Sequence, residues 1–285
     1  MRVVDLIRLV LLASIWGASF IFVRVLSPVI GPVMTADFRV LIAGIFLCIY
    51  FKIAGIETEW RRLWKEYLAV GTLNSGFPFL LYAWAALYVP ASYLVIINST
   101  SPLFGAVCSA YWLGEKLTLL KITGLLLGAA GVALIVRIPS PELNPMFGLA
   151  LLVSLVCPIC FALSGIYVKK SAVSTKPTTL AGASLLATGM LLFPLVPLAP
   201  PPGTVTLSVV MNILALAILC TAVGYLLFYR LLADVGPTKA LMVTFLIPAF
   251  GMLWSILFLS ETVTPAMMAG CALIVTGTAL VIRNG

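Results

Sequence analysis

The sequence contains no histidine, and charged residues fill only 9% of its 285 positions. Soluble proteins carry about 25% charged residues, so this chain has far too few to cover a soluble surface. The absence of histidine excludes His-based catalytic triads and almost every His-containing metal site. Hydrophobic residues make up 62% of the chain. These shortages exclude a soluble globular enzyme and a disordered chain, and they favour an integral membrane protein.

Basic residues outnumber acidic ones, with 17 Lys and Arg against 9 Asp and Glu. A nucleic-acid-binding protein concentrates such charges in a patch or stripe. Here they are scattered in short segments between apolar runs, so we expect no nucleic-acid partner. The scattering fits instead the accumulation of Lys and Arg on the cytoplasmic side of a membrane. The partner that the composition predicts is the lipid bilayer.

A helix needs about 20 mostly apolar residues to cross a bilayer. The sequence contains ten apolar segments of about this length, and they are continuous rather than alternating with period two. Continuous runs favour helices over a membrane β-barrel. We therefore predict an all-α integral membrane protein with ten transmembrane helices. The segments are 5–26, 33–52, 64–88, 92–113, 118–137, 147–169, 178–198, 207–232, 238–259 and 264–283.

The distribution of Lys and Arg predicts the orientation of these helices. If the N-terminus is cytoplasmic, fourteen of the 17 basic residues lie on the inner side and two on the outer side. The remaining one, Arg39, lies within the second segment. Because basic residues accumulate on the inner side, we expect both termini in the cytoplasm.

The two halves of the chain align with each other at a fixed offset of 146 residues. At this offset Pro102 falls on Pro248 and Glu115 on Glu261, and several glycines also coincide. Each half holds five predicted helices, an odd number, so the halves must cross the membrane in opposite orientations. Inverted repeats are typical of alternating-access transporters, in which the substrate binds near the midplane where the repeats meet.

This alignment predicts two inverted five-helix repeats, residues 1–140 and residues 141–285. Three stretches of the first half, with their counterparts in the second, carry a resemblance to a known family. They are the Trp-Gly-Ala-Ser-Phe sequence at 16–20, the segment 102–115 and the segment 124–136. Together with the ten segments, they make nearly the whole chain resemble the EamA-type branch of the drug/metabolite transporter superfamily.

The resemblance implies a multi-pass exporter of small metabolites, often amino acids, in the bacterial cytoplasmic (inner) membrane. The match has one departure, because residues 161–165 occupy the second-half position of the Trp-Gly pair without keeping that pair. We expect no catalytic residue, no metal and no cofactor. The glycines of the fifth and tenth segments are expected to pack helices inside the chain rather than between chains, which fits a functional monomer.

Polar and aromatic residues within the apolar segments mark a candidate substrate cavity, because such side chains usually face the bundle interior. The alternative for Asn, Ser and Thr is hydrogen bonding between helices. The predicted substrate-binding residues are Trp16, Ser19, Asn74, Ser75, Tyr82, Asn98, Thr221, Tyr225 and Thr244. Proline can kink a helix, so we also predict hinges at Pro78, Pro102 and Pro248.

All nine acidic residues fall at predicted helix ends or in connections, so the sequence offers no midplane carboxylate for a proton relay. This favours facilitated diffusion over proton antiport. Arg39, about two turns into the second segment, is expected to extend towards the membrane surface; the alternative is contact with a substrate carboxylate in an outer vestibule. Without fixed midplane cations, we expect a small neutral or zwitterionic substrate, with aromatic or other neutral amino acids first.

Other functions are less well supported by the sequence. A membrane-embedded enzyme would need His, Asp or Glu clustered at one depth, and the sequence shows no such cluster. A passive channel would need a ring of pore-lining residues, and saturation kinetics would distinguish it from a carrier. A proton-coupled exporter of drugs or other metabolites, from the same superfamily, is the closest alternative.

Overall fold

The computed structural model describes residues 2–137, 146–171 and 175–283. All regular secondary structure in these ranges is helical, which confirms the predicted all-α class. The α-helices, numbered in chain order, are α1 Val3–Ile53, α2 Trp60–Gly71, α3 Phe77–Ala85, α4 Ala91–Asn98, α5 Ser101–Leu113, α6 Leu119–Arg137, α7 Met146–Ser171, α8 Pro177–Leu192, α9 Leu207–Leu214, α10 Gly224–Val235, α11 Pro237–Ala240, α12 Val243–Leu259 and α13 Pro265–Arg283.

Six helical segments are long and apolar enough to cross a membrane, and two shorter apolar helices accompany them. The six are Val3–Ile53, Ala91–Leu113, Met146–Ser171, Pro177–Leu198, Leu207–Val235 and Pro265–Ile282. The count of ten spans and their inverted arrangement therefore stay predictions. The predicted boundary between the halves, at residues 140 and 141, lies outside the described residues.

The long element α1 consists of two helices joined by a kink. The sequence predicts two helices separated by a connection at 28–32, and the kink lies in this stretch, at Gly31, where φ is 80° and ψ is 158°. Glycine adopts positive φ without a steric penalty, so a single residue makes the bend. The N–H of Gly203 donates to the carbonyl of Val29 at 2.8 Å and satisfies one backbone group beside the bend. The predicted break between the two segments is therefore present, and it is made at one residue rather than by a longer connection.

Two stretches of π-helix interrupt longer helical segments. Thr72–Gly76 joins α2 to α3, and Ala215–Val223 joins α9 to α10. Of the three predicted hinges, Pro78 follows the first π-helical stretch as the second residue of α3. Pro102 is the second residue of α5, directly after the turn that separates it from α4. Pro248 lies inside α12, which stays α-helical along its whole length.

The helices α6 and α13 approach each other closely. A Cβ atom added to Gly124 would lie 2.5 Å from the carbonyl oxygen of Gly277, and one added to Gly131 would lie 2.6 Å from that of Gly270. Only glycine permits such an approach of two backbones. These glycines therefore pack two helices of the same chain against each other, as the sequence predicts.

A carboxylate joins the end of α12 to the start of α4. Glu261 accepts hydrogen bonds from the backbone N–H groups of Ala91 at 2.8 Å and Ser92 at 3.0 Å, and from the Ser92 hydroxyl at 2.7 Å. It thereby caps a helix N-terminus, where a negative charge is favourable. Its counterpart at the 146-residue offset, Glu115, instead accepts a hydrogen bond from Lys169 at 3.1 Å on the protein surface.

Candidate solute cavity

A cavity of about 290 Å³ lies between both parts of α1, both π-helical stretches, α3, the turn between α4 and α5, α7, α10 and α12. Ligand pockets for small molecules usually have volumes of about 300–1,000 Å³, so this cavity suits a molecule near the lower end of that range. The helices α6, α8 and α13 do not contribute to its lining. Eight of the nine predicted substrate-binding residues line it: Trp16, Ser19, Asn74, Tyr82, Asn98, Thr221, Tyr225 and Thr244.

Ser75 is the predicted residue that does not line the cavity. Its side chain is buried within the first π-helical stretch. Ser75 and its neighbour Asn74 both lie near the Tyr225 hydroxyl, so Ser75 lies directly behind the cavity lining. A role of Ser75 in substrate binding stays a prediction.

Two side-chain hydrogen bonds connect the amides of the cavity to phenols. The Asn74 amide donates to the Tyr225 hydroxyl at 3.2 Å, and this bond links α10 to the first π-helical stretch. The Tyr82 hydroxyl donates to the Asn98 amide oxygen at 3.3 Å. Each group retains hydrogen-bonding capacity, since an amide has two donor hydrogens and two acceptor lone pairs. A solute can therefore be bound by the remaining positions.

The hydroxyl groups of the cavity are bonded within their own helices. Ser19 donates to the Trp16 carbonyl at 2.7 Å and Thr244 to the Leu241 carbonyl at 2.7 Å. The alternative interpretation, hydrogen bonding between helices, therefore does not hold for these two residues. Because each proton is used locally, the hydroxyl oxygen acts as an acceptor towards the cavity.

Aromatic rings form one wall. The ring of Trp16 contacts Tyr225 edge to face with 6.2 Å between centroids, and it lies 5.3 Å from Phe228. Tyr225 in turn stacks on Tyr229 at 6.2 Å. A Cβ atom added to Gly224 would lie 2.5 Å from the indole nitrogen of Trp16, so glycine there makes room for the ring. This wall is a surface for apolar or aromatic groups.

Sequence reasoning missed Phe228 and Tyr229, although both line the cavity. Their spacing of three and four residues from Tyr225 places all three on one helix face, and this signal was available. It also missed Phe161, which lines the cavity from α7. The segment 161–165 therefore contributes a phenyl ring at the position where the first half has its Trp-Gly pair.

Arg39 was expected to extend towards the membrane surface, and this expectation was wrong. Its side chain lines the cavity. Its Nε donates to the Thr221 hydroxyl at 3.0 Å, and its Cζ lies 3.7 Å from the centroid of the Phe79 ring. Both partners are distant in sequence, and together they hold the guanidinium inside the protein. A hydrogen bond and a cation–π contact thus replace the aqueous surroundings that snorkelling would provide.

Asp37 lies six residues after the kink at Gly31, near a helix start as the sequence predicts, but its carboxyl group is buried. Asp37 lies within α1 and is 0% exposed, and neither carboxylate oxygen has a hydrogen-bond partner among the described residues. The absence of an intramembrane carboxylate therefore no longer argues against proton coupling. In the described ranges, no group of three or more Cys, Asp or Glu side chains is arranged to hold a metal ion.

Comparisons with known proteins agree on one family. The model of the EamA-like transporter family matches residues 6–137 and again residues 148–283. The uncharacterised transporter YvbV of Bacillus subtilis is 28% identical over 282 residues, covering 96% of this chain and 90% of that protein. Protein PecM of Dickeya dadantii is 25% identical over 270 residues, covering 94% of this chain and 88% of PecM.

A further relative has a name that describes a function. The probable amino-acid metabolite efflux pump of Escherichia coli is 22% identical over 287 residues and covers 96% of this chain and 93% of that protein. One solved crystal structure superimposes with a TM-score of 0.70 and covers 98% of this chain and 96% of its own. At 19% identity this likeness concerns the fold alone.

Proposed function

This chain belongs to the EamA-like transporter family, and we propose that it exports small neutral or zwitterionic metabolites from bacterial cells. Aromatic and other neutral amino acids are the first candidates. The observation that carries the proposal is the cavity of about 290 Å³, in which eight independently predicted residues meet. A relative described as a probable amino-acid metabolite efflux pump supports the same substrate class.

The proposed architecture has ten transmembrane helices in two inverted repeats, residues 1–140 and 141–285. Two separate family matches, one in each half, support it. The π-helical stretches support it as well, because shifting Thr72–Gly76 by 146 residues places it within Ala215–Val223. Rocking of one repeat against the other would expose the cavity to each side in turn, with Pro78, Pro102 and Pro248 as bending points.

The proposed orientation places both termini in the cytoplasm and the chain in the cytoplasmic membrane, as a monomer. The excess of Lys and Arg in the connections on one side supports this orientation. The glycine faces of α6 and α13 are occupied by each other, which supports a monomer because the small-residue surface typical of helix dimerisation is used inside the chain.

We propose that transport is facilitated diffusion down the substrate gradient. The alternative is a proton-coupled exporter of drugs or other metabolites, and one observation favours it. Asp37 is a buried carboxyl group without a hydrogen-bond partner among the described residues, and such groups inside membranes frequently belong to proton pathways. The two modes differ in their response to a pH gradient.

Counterflow in proteoliposomes tests the proposal. Vesicles are loaded with unlabelled phenylalanine, methionine or threonine, and a trace of the labelled amino acid is added outside at equal pH. Transient accumulation of label that saturates with concentration is the expected result. Equilibration without accumulation would indicate a channel, and no uptake by folded protein would contradict the proposal. Accumulation only under an imposed pH gradient would favour the proton-coupled alternative.

A further inference from the structure

Arg39 is the one residue with a formal charge in the described lining of the cavity. The remaining lining consists of aromatic, aliphatic, amide, hydroxyl and thiol groups. A single cation in such a cavity gives it a net positive charge that water screens poorly. A solute with a negatively charged group would therefore be attracted most strongly to the part of the cavity beside Arg39.

The guanidinium of Arg39 is incompletely bonded by the protein. Only its Nε donates a hydrogen bond, to Thr221, while neither terminal nitrogen has a partner in the part of the chain that the structure describes. No Asp or Glu of that part forms an ion pair with it. Asp37 is close in sequence, but residues two positions apart on a helix point about 200° apart. Two donor nitrogens are thus free on a side chain that lines the cavity.

The orientation of the guanidinium also suits a ligand. The Phe79 ring covers one face of the group, with Cζ at 3.7 Å from the ring centroid, and Thr221 holds Nε. The plane is therefore fixed by two contacts on the protein side. A guanidinium with two adjacent free nitrogens matches the two oxygens of a carboxylate and binds them through parallel hydrogen bonds.

We propose that Arg39 binds the carboxylate of the transported solute. This inference rests on the proposed transport function and specifies its substrate class as small monocarboxylates with an apolar or aromatic body. The body lies against the wall formed by Trp16, Tyr225 and Phe228. No acidic side chain occurs in the described lining to bind an ammonium group, so recognition requires the carboxylate and does not require the amine. Cationic drugs are poor substrates of such a cavity.

The first experiment uses the wild-type protein and three related solutes in the counterflow assay. Phenylalanine carries both charged groups, phenylpropionate lacks the ammonium group, and phenylalaninamide lacks the carboxylate. Unlabelled phenylpropionate is expected to compete with labelled phenylalanine within a factor of about three, while phenylalaninamide competes at least about tenfold more weakly. Equal competition by phenylalaninamide would overturn the role of the carboxylate.

The second experiment changes Arg39. Arg39→Gln removes the charge and is expected to raise the half-saturation concentration for phenylalanine by about tenfold or more. Arg39→Lys keeps the charge but lacks the two adjacent terminal nitrogens, and it is expected to raise this concentration by less. Arg230→Gln is the matched control, because it removes one positive charge from a side chain that is 67% exposed and lies outside the cavity. Unchanged half-saturation in Arg39→Gln would overturn the inference.

A thermal-shift measurement on purified wild-type protein separates this inference from the transport proposal. Phenylpropionate is expected to raise the melting temperature in detergent, and phenylalaninamide is not. Stabilisation by the carboxylate without any counterflow would contradict the transport function and keep the role of Arg39. Counterflow that does not distinguish the amide from the acid would contradict the role of Arg39 and keep the transport function.

Discussion

Replacing Glu261 tests how the connection after α12 holds α4 in place. Its carboxylate accepts three hydrogen bonds of 2.7–3.0 Å from Ala91 and Ser92. Loss of a side-chain helix cap costs about 0.5–2 kcal/mol, and hydrogen bonds to charged groups are stronger than neutral ones. Because two backbone N–H groups lose their acceptor at once, we expect Glu261→Ala to lower the free energy of unfolding by about 2–3 kcal/mol.

For a chain of this length, such a change corresponds to a fall in melting temperature of about 5 °C. The measurement is thermal unfolding in detergent, followed by intrinsic fluorescence. Glu261→Gln keeps one carbonyl acceptor and is expected to lie between wild type and Glu261→Ala. The three proteins should therefore melt in that order.

The 146-residue offset supplies the matched control, Glu115→Ala. Glu115 contacts Lys169 at 3.1 Å, but its side chain is 39% exposed, and exposed ion pairs contribute only about 0–1 kcal/mol. Its melting temperature is expected to stay within about 2 °C of wild type. Equal falls in melting temperature in Glu115→Ala and Glu261→Ala would refute the reasoning, because they would show that the helix cap contributes no more stability than an exposed ion pair.

Three further predictions follow from the packing and the cavity. Gly124→Ala is expected to lower the melting temperature, since overpacking costs about 1–3 kcal/mol. Gly105→Ala, whose added Cβ would contact nothing within 4 Å, is expected to leave the melting temperature unchanged. Equal melting temperatures of the two variants would contradict the close packing of α6 against α13. Tyr82→Ala and Asn98→Ala are expected to reduce counterflow without reducing membrane insertion, and wild-type rates in both would remove these residues from the site. Asp37→Asn is expected to keep both counterflow and melting temperature, because the carboxyl has no hydrogen-bond partner to lose; loss of a pH-dependent component of transport would favour proton coupling.

Much of the fold was predictable because a segment that crosses a bilayer must be long and apolar and must satisfy its own backbone hydrogen bonds. Long apolar runs with few charges predict helices, and the structure is helical throughout the described regular elements. The proline-rich stretch at 28–32 predicted the break within α1. Its form was not predictable, because the kink is made by the positive φ of Gly31 alone and not by a loop.

The site was predictable where a residue's chemistry determines its direction. Amides and phenols within apolar runs turn inward, and Asn74, Tyr82, Asn98 and Tyr225 all do so. Arg39 was not predictable in this way, because a long cationic side chain can extend outward or inward. Its direction depends on Thr221, which lies 182 residues away in the sequence, and local patterns carry no information about such a partner.

Equilibrium binding of labelled phenylalanine to the purified protein tests the central claim, that the cavity is the solute site, most directly. The wild type is expected to bind saturably, with one molecule per chain. Asn98→Ala and Tyr82→Ala should weaken binding. Ser154→Ala should leave binding unchanged, because it removes a buried hydroxyl of α7 that lies outside the cavity lining. Binding that is equally strong in all four proteins would contradict the placement of the solute in this cavity.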